Sequence, residues 1–188
     1  MKIQHPFNWL PESLFIRAFI LLFVLTFVLL MCLNLIDAPL KTTVAPNGII
    51  SYELAGELSV AQEMIRSWGA VGQIYAGLSL GFDFLFLVSY SLFIALGCII
   101  VTRRLSQPGQ FLFKFGALLA WAQFGAAILD AIENYALIRI LLGSQNEILP
   151  VVAYWCALPK FVIVVIGMGY ICFGFIFLVF SKMFKKTS

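Results

Sequence analysis

Four apolar stretches dominate this sequence, each longer than the roughly 20 residues that a helix needs to cross a hydrocarbon core. They run approximately over 13–36, 74–102, 111–142 and 149–181. None alternates apolar with polar side chains, so a membrane β-barrel is excluded. The chain is 62% hydrophobic and 11% charged. A soluble domain carries about 25% charged residues, so polar groups here are too few to cover the apolar surface, and lipid is the solvent for most of it. The expected fold is all-α: a single membrane-spanning four-helix bundle over the 188 residues. The apolar run from Ala18 to Ile36 exceeds the h-region of a signal peptide, which is about 7–15 residues. No small-x-small cleavage site follows it, so the first stretch is expected to be a retained helix.

The twelve lysines and arginines orient such a bundle. With four spans, both termini and the second loop lie on one side. Lys2, Arg17, Arg103, Arg104, Lys114, Lys182, Lys185 and Lys186 fall there, against Lys41, Arg66 and Arg139 on the other, with Lys160 inside a span. The expected topology has both termini in the cytoplasm. Ser106-Gln107-Pro108-Gly109 reads as a short turn between antiparallel helices. Residues 143–147 read as another, with Pro150 suited to the first turn of the last helix.

The first loop, 37–73, is much longer and lies outside, and loops of that length usually have structure of their own. Pro46-Asn47-Gly48 marks a turn, after which Ile50, Tyr52 and Leu54 alternate with polar neighbours. Ser59 and Gln62 have the spacing of a capping box. Ala61, Met64, Ile65 and Trp68 then share one face of a short amphipathic helix, with Glu63, Arg66 and Ser67 opposite. Trp9 and Trp68 read as interfacial anchors, and Gly77 and Gly81 as a small-xxx-small contact between helices.

Ionisable residues inside the apolar stretches carry the functional signal. Each costs about 2.5–3.5 kcal/mol to insert. At 1.5 Å of rise per residue, Asp83, Asp130, Glu133 and Lys160 all fall about 14–18 Å below the outer ends of their helices. Three helices thus place charge in one layer. Gln123, Ala127, Asp130, Asn134 and Leu137 form one helical stripe, with Glu133 beside Asp130. Ser79, Asp83 and Tyr90 share a face of the second helix. The expected site is a contiguous cluster of Asp83, Asp130, Glu133 and Lys160 with Asn134 and Tyr90 as neutral partners, and Lys160 paired with Asp130 or Glu133. Pro159 removes a backbone donor just before Lys160 and is expected to kink the helix.

Other chemistries are poorly served. The cysteines, Cys32, Cys98, Cys156 and Cys172, form no CxxC pair and read mainly as packing residues, although Cys32 and Cys156 fall at similar depth. The only histidine is His5. No metal site or cofactor is therefore expected. A net charge of +3 without a basic aromatic patch argues against nucleic acid as a partner.

The segments Ser51-Tyr-Glu-Leu-Ala-Gly56, Gly81-Phe-Asp-Phe-Leu-Phe86 and Leu129-Asp-Ala-Ile-Glu-Asn134, with the spaced Trp155 and Lys160, resemble a group of small bacterial four-span integral membrane proteins. The resemblance implies a bacterial inner-membrane setting and brings no activity with it. Two readings of the charged layer stay open: an ion-pair staple that fixes helix register, or an outward-facing polar pocket for a small or lipidic ligand. A different class of function is an accessory subunit of a larger membrane complex, with a membrane protein as partner. A third is a membrane enzyme acting through its carboxylates, since no nucleophile–histidine pair is present.

Overall fold

The computed structural model describes residues 5–105 and 111–185. It is 85% helical, with no strand among the described residues, and its class is an all-α helical bundle. The helices are α1 (Phe15–Asp37), α2 (Ile49–Glu53), α3 (Leu58–Leu105), α4 (Phe111–Leu141) and α5 (Ile148–Lys185). α1, α3, α4 and α5 are each long and apolar enough to cross a membrane, which makes the chain a multi-pass membrane protein. The turn expected at Ser106-Gln107-Pro108-Gly109 lies outside the described residues. α5 continues as one helix through Pro159.

The expected amphipathic helix and second span are joined in α3. The junction is Gly69, at φ 61° and ψ −174°, a region open in practice only to glycine. The reversal frees carbonyls of the preceding turn, and the Gln73 side-chain amide donates to one of them, Ile65 O, at 3.1 Å. Gly72 lets the two arms close up, because a Cβ there would meet Trp68 Cβ at 2.7 Å. The helix begins at Leu58, so Ser59 lies inside its first turn rather than capping it, and Gln62 does not reach back to it. Its amide donates instead to Gln145 Oε1, 2.9 Å away in the α4–α5 turn.

The chain forms two compact units. One comprises Leu25–Ser89 and Ala127–Lys160. Its core is built where the long loop folds onto helix ends: Leu40, Ala45, Ile49 and Tyr52 pack with Ala61, Met64 and Trp68, and with Ala76, Leu80, Ala136, Leu137, Ile140 and Ala153. The predicted apolar face of the amphipathic helix is therefore the buried one. Trp68, however, is not an interfacial anchor. It is buried, its indole N–H donates to Leu40 O at 2.8 Å, and its ring meets Tyr52 edge-on at 5.3 Å. A buried indole needs an acceptor, and the loop backbone supplies one. Trp9 remains highly exposed.

The other unit contains residues 5–24, 90–105, 111–126 and 161–185. Phe19 stacks on Phe93 at 5.0 Å, and the Thr102 and Tyr170 hydroxyls meet at 2.9 Å. Close packing falls to Gly116, Gly167 and Gly174, where a Cβ would strike Thr102, Gln123 and Val101 respectively. The Gly77/Gly81 pair has no such role: Gly77 makes ordinary contact with Leu141, and Gly81 faces open space.

Candidate functional site

The site lies within the first of these units and is assembled from one stripe on each of three long helices. On α4, Asp130, Glu133, Asn134 and Leu137 recur at helical spacing and are buried together. On α5, Ala153, Ala157 and Lys160 do the same, the two alanines giving the helix a small face on which the lysine is the only long side chain. On α3, Ala76, Leu80 and Asp83 continue the pattern, with Asp83 half-buried.

Lys160 is the hub. Its Nζ donates to Asp130 Oδ1 at 2.7 Å and lies 2.8 Å from Glu133 Oε2. The second approach, at charge-assisted distance, engages one Glu133 oxygen and leaves Oε1 without a donor. Both acids expected as partners therefore share the one ammonium. Asp83 joins through Asn134, whose amide donates to Asp83 Oδ2 at 2.6 Å. It also lies within Coulombic reach of Asp130 and Lys160.

A third carboxylate within 4 Å of Lys160 comes from outside the spans. Glu53 Oε2 sits 3.8 Å from Lys160 Nζ, and its carboxyl is within hydrogen-bonding reach of Glu133. Burial pushes the Glu53 carboxyl up to about 8; Lys160 opposes that rise, while Glu133 and Asp130 add to it. Its neighbour Tyr52 pins α2 in place, donating from its hydroxyl to Leu137 O at 2.9 Å. Lys160, Asp130 and Glu133 retain 7%, 4% and 0% of their side-chain exposure, and Glu53 retains 12%. The cluster is thus nearly sealed, with α2 as part of its cover.

Sequence reasoning missed Glu53. An alternating reading put Ile50, Tyr52 and Leu54 on one face and turned Glu53 to the other. In the structure the segment is helical, so Ile49 and Tyr52 are buried while Ile50 and Leu54 are exposed. Glu53, four residues after Ile49, then turns inward. Helical spacing was the available signal, and Glu53 also lies inside the 51–56 segment that carries the resemblance. Of the other expected members, Tyr90 is buried in the second compact unit. Ser79, which was expected only to share a helical face with Asp83, is buried.

Chemically, one ammonium faces four carboxyl groups, Asp83, Asp130, Glu133 and Glu53. Like charges at such distances and low hydration cannot all persist, so the site demands protons or a further donor. Glu53 Oε2 and Glu133 Oε1 are buried without a hydrogen-bond donor. Among the described residues, no group of three or more His, Cys, Asp or Glu side chains is arranged to hold a metal ion, and all four cysteines are free, Cys32 and Cys156 included. Comparison with family models, curated proteins and solved structures found no match to this chain.

Proposed function

We propose that the protein is a bacterial inner-membrane protein, both termini cytoplasmic, that binds a small or lipidic ligand at the polar site of Asp83, Asp130, Glu133, Asn134 and Lys160, reached from the outer side beneath α2. The observation that carries this reading is the surplus of buried acceptors. A staple needs one carboxylate per lysine, whereas Lys160 has three within 4 Å, two of which keep oxygens with no donor. Unsatisfied buried acceptors cost about 1–3 kcal/mol each, a cost that a staple alone gives no reason to keep. They favour a ligand that offers N–H or O–H donors. Native mass spectrometry of the protein in mild detergent tests this. A retained donor-bearing lipid or small molecule, lost in Glu133→Gln, is expected; a ligand-free protein from both bacterial membranes and supplemented lipid extracts would end the proposal.

One observation favours a second reading, the accessory subunit. The most apolar window of the first span is only 11% buried, against 72% for that of α3. α1 therefore has the broader apolar surface for lipid or for a neighbouring membrane protein. A polypeptide co-purifying at fixed stoichiometry would select this reading.

A further inference from the structure

The long outer loop touches the charged layer through one side chain, and that contact has a defect. Glu53 Oε2 and Glu133 Oε2 both face Lys160 Nζ, at 3.8 and 2.8 Å, which sets the two carboxyl groups beside each other, yet Glu53 Oε2 and Glu133 Oε1 are buried without a hydrogen-bond donor. Two ionised carboxylates do not hydrogen-bond to each other; one proton between them turns a repulsive contact into a charge-assisted one. Every charged or titratable group near the pair bears on this balance. α4 presents Asp130 and Glu133, α5 presents Lys160 and Cys156, and α3 presents Asp83 within Coulombic range of Glu53. The single ammonium is already held by Asp130 at 2.7 Å and by Glu133 at 2.8 Å, so at 3.8 Å it neutralises Glu53 only in part.

We propose that Glu53 and Glu133 share one proton, and that this proton latches α2 over the charged layer, so that its loss to external water frees α2 and opens the site.

The rest of α2 fits a latch. It is five residues long, far shorter than a helix that holds itself in water. Its inner attachments are the apolar Ile49, the Tyr52 hydroxyl on Leu137 O, and Glu53. Glycine flanks it on both sides: Gly48 at φ 60° and Gly56 at φ 68°. Such residues let a short segment pivot without strain in its neighbours. The sign follows from linkage. Glu53 holds its proton more tightly in the closed state than in water, so the closed state gains from protonation. That gain is complete below the ordinary carboxylate range and is lost as pH rises through about 8. The latch is closed at acid and neutral pH and opens on the alkaline side.

As a gate this inference rests on the ligand site proposed above; as a proton switch it is read on α2 alone, with no ligand added. The experiment is amide hydrogen exchange over residues 49–55 of the full-length protein in detergent, at several pH values, corrected for intrinsic exchange rates. Wild-type protection should fall by about tenfold or more between about pH 6 and about pH 10. In Glu53→Gln the amide donates permanently to Glu133, so protection should become independent of pH. Unchanged wild-type protection, or the same loss in Glu53→Gln, overturns the latch while leaving the ligand reading intact. Infrared spectroscopy of the wild type gives a readout that needs no variant. The carbonyl band of a hydrogen-bonded carboxylic acid should be present at neutral pH and vanish over the same window, and its absence at neutral pH overturns the shared proton.

Discussion

Lys160 shows how a single residue sets the terms for its surroundings. Truncating it leaves Asp130 and Glu133 buried without the ammonium that both now contact at under 3 Å. Breaking a buried ion pair from one side costs about 3–5 kcal/mol, because the partner charge is stranded. Lys160→Met should therefore lower the unfolding midpoint in detergent sharply, and Lys160→Met with Asp130→Asn should recover much of the loss. A double variant no more stable than the single one would show that the pair is not the source of the cost. Asn134→Ala gives a smaller effect of the same kind, about 1–3 kcal/mol, by removing the donor to Asp83. The membrane-buried part of this cluster was legible in the sequence because an ionisable side chain in an apolar helix has few places to go. Depth along the helix and the 3–4 stripe together put Asp83, Asp130, Glu133 and Lys160 in one layer. Glu53 was not legible on those grounds. An acid in a loop carries no burial signal of its own, and only the helical turn of α2 aims it inward.

At the scale of the element, α3 depends on one backbone geometry. Gly69 has nothing within 4 Å of its missing Cβ, so Gly69→Ala introduces no clash, and its whole cost is conformational. Forcing alanine to φ 61° and ψ −174° should cost about 1–3 kcal/mol. Much of the structural response should appear in the 58–68 arm, whose Trp68 is held by Leu40 O and Tyr52. A red-shifted, more accessible tryptophan emission, isolated in a background with Trp9, Trp121 and Trp155 replaced by Phe, is the measurement. Unchanged emission and stability would mean that α3 tolerates another path at this point. The amphipathic stripe predicted this arm correctly, because Ala61, Met64 and Trp68 recur at helical spacing and need a partner. Its partner was harder to foresee. Trp68 carries an apolar body and a polar N–H, a pattern that suits a membrane interface as well as a loop carbonyl. Only the path of Leu40 decides between them.

At the scale of the whole molecule, the spans were legible because hydropathy is local: each run of apolar residues must bury its backbone polar groups internally wherever it lies in lipid. The helix bounds differ from the apolar stretches mainly where polar residues extend a helix beyond the apolar run, as at the start of α3 and the end of α5. Orientation rests on a different force, the retention of Lys and Arg on the cytoplasmic side, and eight such residues against three favour the side that holds both termini and the second loop. This makes a prediction that no feature of the helices themselves can satisfy by accident. With Cys32, Cys98, Cys156 and Cys172 replaced by Ala or Ser, a single cysteine is placed either at Asn47, in the first loop, or at Gln107, in the second. A membrane-impermeant thiol reagent applied to intact spheroplasts should label Asn47→Cys and spare Gln107→Cys, and lysis should expose the latter. Asn47 is a fair probe because it is exposed and its backbone N–H, not its side chain, makes the contact to Ser51 Oγ at 3.0 Å. The reverse pattern would invert the membrane orientation. It would put the Glu53 contact on the cytoplasmic side and make any proton released there a cytoplasmic one.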